Sequence, residues 1–127
     1  MPLQAGERIY DLQDRLIDLA VRISSICESL PPTRTGKHVA GQLVRCGTAP
    51  GPLHSEAQAA ESRKDFIHKL GLCLKELRET ISWLSYLAKV EIGDLAEIHE
   101  AIEENDRAIA VVYSSIRTAK RNQHLHS

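Results

Sequence analysis

The side chains that most often carry out chemistry in proteins are scattered along this chain without the spacing that catalysis requires. Its six histidines show neither the His-to-Glu nor the His-to-His spacing of a zinc enzyme, and no Glu-x-x-His motif of a di-iron bundle occurs. His124 and His126 are the nearest pair, and a metal bound there would be adventitious. We therefore expect no metal site.

Nucleophilic catalysis has no recognisable motif either. No serine lies in a G-x-S-x-G sequence, and Gly47 and Gly51 are not followed by the Lys-Ser/Thr of a phosphate-binding loop. Cys27, Cys46 and Cys73 lie singly at or beside apolar-stripe positions, which predicts buried thiols in a reducing compartment. The sequence predicts no enzyme, no catalytic residue and no cofactor.

Positive side chains are the remaining chemical signal. The segment 34–45 has three of them and no acidic residue, and the segment 63–78 has five against two acids. If the helices that carry these segments are neighbours, a local patch can contact phosphates. The predicted nucleic-acid contacts are Arg34, Lys37, Arg45, Lys75 and Arg78. Because the net charge is only −1, the alternative is a solvated helix surface without a ligand.

The elements that would position these residues are long amphipathic helices. Along residues 66–88, apolar side chains recur at alternating steps of four and three, which makes one stripe on a long helix. Seams with the same spacing run along residues 9–30 and 95–119. The sequence therefore predicts an all-α, antiparallel up-down-up-down four-helix bundle that forms a single domain over residues 1–127.

The predicted helices end where prolines and glycines cluster. Pro31-Pro32 stops the first helix, and the second contains Gly-Thr-Ala-Pro-Gly-Pro at 47–52. A helix kinked near Pro50–Pro52 and two short helices joined by a bend both fit. We favour the kink because four rods that cover one another need comparable lengths. The predicted helices span about residues 7–30, 34–60, 62–91 and 94–121, followed by a frayed tail at 122–127.

The third predicted helix is apolar on more than one face, which is typical of a helix that is deeply buried or that also faces a partner subunit. We expect self-association, with a broad monomeric core as the alternative. The predicted interface comprises Leu53, Ile67, Leu74, Trp83 and Tyr86.

Asn105 is the one polar residue in the last seam. A single buried amide can fix register or assembly, as it does in coiled coils. The alternative is an amide at the edge of the core that bonds to a neighbour or to water.

No window of the chain approaches the ~20 apolar residues of a membrane span. The first seven residues lack the basic-then-apolar order of a signal peptide. We therefore expect a cytoplasmic protein without membrane contact.

Two motifs carry a resemblance to a known family. Ser62–Ile67 (Ser-Arg-Lys-Asp-Phe-Ile) and Leu74–Thr80 (Leu-Lys-Glu-Leu-Arg-Glu-Thr) resemble the bacterial four-helix-bundle family first noticed as reading frames in intervening sequences of 23S ribosomal RNA genes. The similarity covers about Tyr10 to Arg117. It implies an up-down bundle that assembles as a ring-like homopentamer. Some relatives act as accessory variability proteins of diversity-generating retroelements, where a basic pentamer is thought to bind nucleic acid and the reverse transcriptase.

The sequence departs from this family in two respects. The family usually carries Asn-Ile-Ala-Glu-Gly near the end of its second helix, whereas residues 53–57 read Leu-His-Ser-Glu-Ala and match only at Glu56. The nucleic-acid-binding relatives are strongly basic, whereas this chain is near neutral. We expect a non-catalytic, oligomeric accessory or scaffold protein whose partner is RNA or a ribonucleoprotein. The alternative is a pure protein–protein interaction module without nucleic-acid binding.

Overall fold

A computed structural model describes the backbone of residues 5–126 and the side chains of residues 11–123. It contains five α-helices: α1 (Ala5–Ser29), α2 (Arg34–Thr48), α3 (Pro50–Gln58), α4 (Arg63–Val90) and α5 (Leu95–His126). Helices α2 and α3 follow one another and form the second rod. The described residues therefore build an all-α four-helix bundle, which confirms the predicted fold class.

Each rod packs against two neighbours. Helix α1 packs against α5 and the second rod, and α4 also packs against α5 and the second rod. Within the described part of the chain, α1 and α4 make no close backbone contact, so these two helices lie diagonally across the bundle. Helix α5 and the second rod form the other diagonal. This is the neighbour order of an up-down-up-down bundle with short connections.

The core is built from the stripes that the sequence predicts, with one shift. Leu16, Leu43 and Leu77 are among its fully buried side chains, one from each of three rods. In α5, however, Ala101 and Ala108 are buried whereas the predicted seam residues Ile102 and Ile109 are only partly buried. The alanines lie beside Glu104 on the side of α5 that faces α1, because Glu104 contacts Arg22 of α1 at 3.3 Å.

The second rod is broken directly before its first proline. Helix α2 ends at Thr48 and α3 begins at Pro50, and Ala49 between them keeps right-handed helical dihedrals (φ −78°, ψ −35°). Because Pro50 has no backbone N–H, the carbonyl of Cys46 loses its usual donor four residues on. The predicted kink is therefore confirmed in position, and the rod consists of two helices with a single residue between them.

Side-chain caps fix the starts of three helices. The Thr33 hydroxyl accepts a hydrogen bond from the Gly36 amide at 3.0 Å, and the Ser62 hydroxyl accepts one from the Asp65 amide at 3.0 Å. Oδ1 of Asp94 accepts from the amides of the second and third residues after it, at 3.1 and 3.2 Å. These caps satisfy donors that have no partner within their own helix.

The end of α4 lies at Glu91, which adopts a left-handed conformation (φ 56°, ψ 46°). The next amide, that of Ile92, donates to the Leu87 carbonyl at 3.1 Å and closes the last turn. Gly93 also has a positive φ of 93°. The helix therefore ends two residues before Gly93, and a glutamate occupies a position that costs about 1 kcal/mol for a residue with a Cβ.

Helix α5 is longer than predicted and continues to His126. The helix therefore extends five residues past the predicted bound at 121, the fraying of the tail stays a prediction, and Ser127 lies outside the described residues. The segment from Thr118 onward contains neither proline nor glycine. Nothing in this segment therefore interrupts the helix.

Candidate functional site

A groove between α2 and α4 is lined by aromatic and basic side chains. It measures about 490 Å³, and its lining includes Arg34, His38, Trp83 and Tyr86. The His38 and Trp83 rings meet edge to face at 5.7 Å between centroids, and Trp83 meets Tyr86 in the same way at 6.1 Å. Tyr86 is 41% exposed. Half-exposed Trp, Tyr and Arg side chains in one groove are the composition of an interaction hot spot.

The five predicted nucleic-acid contacts do not form one patch. Arg45 lies between two carboxylates of α4, because it pairs with Glu76 at 3.4 Å and also with Glu79. Arg78 follows Glu76 by two residues, so it points about 200° away around the α4 axis. Lys75 lies on the outer side of α4, about 40° around the axis from Glu79 and about 60° from Arg78. Arg34 and Lys37 remain on α2, where both are exposed.

The predicted interface residues have different environments. Leu74 is a core residue at 9% exposure, and Leu53 and Ile67 are partly buried and pack against the core. Trp83 also packs against the core and lines the groove between α2 and α4, whereas Tyr86 is exposed. The structure therefore brings only Trp83 and Tyr86 together on one surface.

A second apolar surface lies on α1, where Ile17 and Val21 are 47% and 65% exposed. They are one turn apart and share a face, which we call the α1 patch. Asp14 and Asp18 flank it and are both exposed. The hydrophobic period predicts which residues of α1 enter the core, but exposed Val21 stands outside that stripe and is not singled out by it.

A polar chain centred on the buried side chain of His54 joins α1 to α3 close to the break in the second rod. The Gln13 side-chain amide donates to the Gly51 carbonyl at 2.9 Å, and its oxygen lies 2.5 Å from Nδ1 of His54. An amide oxygen only accepts, so this Nδ1 carries the proton. Nε2 of His54 then accepts from the Gln58 amide at 3.3 Å. Burial lowers the pKa of His54, which is 2% exposed, so the neutral ring is favoured.

Comparisons with known proteins agree with this architecture. The model of the 23S rRNA-intervening sequence protein family matches residues 10–114. This chain belongs to that family. The chain is also similar to a crystal structure from Bacteroides thetaiotaomicron, described as a protein with unknown function from the S23 ribosomal protein family. The two are 30% identical with a TM-score of 0.77, over 83% of this chain and 97% of the other. No curated protein matches the sequence.

The burial of His54 has a consequence for stability. Since burial depresses the pKa of His54 below its ordinary value of 6.5, the unfolded chain binds this proton more readily than the folded chain. The free energy of unfolding should therefore be highest above pH 6.5 and fall as the pH drops below it, by up to about 1.4 kcal/mol per pH unit from this group.

Urea titrations between pH 7.5 and 5 would test this expectation. The matched control is His54→Gln, which keeps one donor and one acceptor but does not titrate. The variant should lose stability less steeply than the wild type as the pH falls, and equal slopes would contradict a role for His54.

The three cysteine thiols are enclosed in the core. Burial raises the pKa of the Cys27 thiol to about 11 and that of Cys73 to about 12, and it also raises the pKa of Cys46. Such thiols stay protonated near neutral pH and are poor nucleophiles. Among the described residues, no group of three His, Cys, Asp or Glu side chains is placed to hold a metal ion.

Asn105 is fully buried, so the alternative of an amide at the core edge is wrong. Neither of its two side-chain polar atoms has a hydrogen-bond partner within the described part of the chain.

Across the described part of the chain, the helices fall short of the length and apolarity that crossing a membrane requires.

Proposed function

We propose that this chain is a non-catalytic cytoplasmic scaffold that assembles with copies of itself and serves an RNA or ribonucleoprotein partner. The observation that carries the proposal is a pair of exposed apolar surfaces with opposite flanking charges. Asp14 and Asp18 lie beside the α1 patch, whereas Arg34 lines the groove between α2 and α4 and Lys37 is exposed one turn further along α2. Each surface is therefore a suitable partner for the other surface on a second copy.

The positions of the two surfaces favour a ring. Helices α1 and α4 are diagonal in the bundle, so one two-fold contact would cover only one of the surfaces. A head-to-tail contact places the α1 patch of one copy in the groove of the next and covers both. Repeated contacts of this kind close into rings when the rotation between copies allows it. The homopentamer implied by the family resemblance is one such ring.

The RNA partner is supported by the family and by unpaired cations. The matching family takes its name from intervening sequences of 23S rRNA, and the similar crystal structure is assigned to an S23 ribosomal protein family. Arg34, Lys37, Lys75 and Arg78 make no ion pair with any described side chain. The contacts of these residues and of Arg45 with RNA stay a prediction.

Light scattering after size exclusion tests the assembly. Five copies of the 14.1 kDa chain give a particle of about 70 kDa, and any closed ring gives a fixed multiple of the chain mass. A particle of one chain mass at micromolar concentration would reject the scaffold.

The proposed RNA partner is tested by filter binding to a structured RNA at low salt. Salt-sensitive binding supports the RNA partner, and capture of nuclease-insensitive protein partners without RNA binding would leave a protein-interaction module.

A further inference from the structure

We infer that RNA phosphates bind along the outer face shared by α4 and α5, an inference that rests on the proposed function. This basic α4–α5 face comprises Lys64, Lys75, Arg78, Arg117, Lys120 and Arg121. All six side chains are exposed. It includes two of the five residues that the sequence predicts as contacts and adds four others.

The α4 half of this face follows from the position of its neighbours. Glu76 marks the side of α4 that faces α2, because it pairs with Arg45. Helix α5 lies diagonally from α2, so it packs against the other side of α4. Arg78 lies about 200° from Glu76 and therefore at the edge next to α5. Lys64 is fourteen residues earlier, on nearly the same face and about 21 Å away along the axis.

The α5 half is located in the same way. Glu104 marks the side of α5 that faces α1 through its 3.3 Å contact with Arg22. Arg117 lies about 140° and Lys120 about 160° around the axis from Glu104, so both face away from α1. A groove of about 760 Å³ is lined by residues 60–66 on one side and 114–122 on the other, which places the start of α4 beside the end of α5.

The charge on this face is uncompensated. From Arg107 to Arg121, α5 contains no acidic residue. Asp106 directly precedes this segment and marks the N-terminal limit of the basic face on α5. None of the six cations pairs with a described carboxylate within 4.0 Å. In contrast, Arg45 on the α2 side is held by two glutamates. Free cations spread over about 21 Å of a rigid helix suit the regular charge spacing of a phosphate backbone.

Three double variants with the same charge change test this face. Arg117→Gln/Lys120→Gln and Lys75→Gln/Arg78→Gln each remove two of its cations with little change in helix propensity. The matched control is Arg45→Gln/Lys69→Gln. It removes two cations that are already ion-paired where α4 meets α2 and α3. A fourth variant, Arg34→Gln/Lys37→Gln, tests the contacts predicted on α2. Affinity for a 20-nucleotide single-stranded RNA is measured by filter binding across a salt series, with the particle mass measured in parallel.

The face variants should each weaken binding about 20-fold near 100 mM salt and lower the slope of log affinity against log salt by about 1.4. The control should bind as the wild type does. Equal losses in the control would show dependence on net charge alone and overturn the inference. A loss confined to Arg34→Gln/Lys37→Gln at unchanged mass would also overturn it, while the proposed function stands. Equal competition by polyglutamate would assign the face to an acidic protein segment instead of RNA. Wild-type protein without salt-sensitive binding would reject the RNA half of the proposed function itself.

Discussion

Replacing Val21 with glutamate is expected to convert the assembled protein into single chains of 14.1 kDa. Among the described side chains of α1, Val21 is the most exposed large apolar one, and Asp18 already adds negative charge beside it. In the assembly, the new carboxylate would be buried against Trp83 and Tyr86 of the next copy. An unpaired buried charge costs several kcal/mol, and a ring incurs this cost at every contact.

Light scattering at matched protein concentration measures this change. The control is Ala110→Glu, which adds the same charge to an exposed position of α5 outside both apolar surfaces. Circular dichroism should show the same helix content for both variants, because neither position belongs to the core. If Val21→Glu keeps the mass of the wild type, the α1 patch is not an interface.

Replacing Gly36 with alanine is expected to lower the free energy of unfolding by about 3 kcal/mol. Gly36 is buried in the first turn of α2, and a Cβ built there would lie 2.0 Å from the Pro31 carbonyl oxygen. That atom belongs to the backbone of a turn that Pro31-Pro32 makes stiff, so it has little freedom to move away. The first turn of α2 would have to shift, and the Thr33 cap would be lost with it.

Gly41→Ala is the matched control, because it lies in the same helix and has no atom within 4 Å of the added Cβ. It should raise stability by up to about 1 kcal/mol through helix propensity. Urea unfolding of both variants at one protein concentration measures the difference, since assembly makes stability concentration-dependent. Similar stabilities for the two variants would contradict the steric account of Gly36.

The fold could be predicted from the sequence because each seam is long and regular. A stripe of three- and four-residue steps that is repeated over many turns has one favourable partner, another such stripe. The same pattern does not decide which of two adjacent residues on one helix points into the core. In α5 it selects Ile102 and Ile109, whereas the smaller Ala101 and Ala108 lie in the core facing α1.

The surfaces could be predicted only in part, because a sequence does not specify which neighbour each side of a helix faces. Lys75, Glu76 and Arg78 are adjacent in the chain, yet Glu76 faces α2 while Arg78 points towards α5. The sequence does not identify His54 as a buried hydrogen-bonding residue, for a different reason. Its partner Gln13 is 41 residues away, and a histidine close to prolines and glycines looks like part of a loop.

Trp83 is the only tryptophan of the chain and lies in the groove between α2 and α4. All indole fluorescence of the purified protein therefore originates from this one location. Emission wavelength and quenching by iodide report directly whether solvent reaches the groove, without a dye or tag. Dilution of the sample then tests the proposed contact between copies optically, at concentrations too low for scattering.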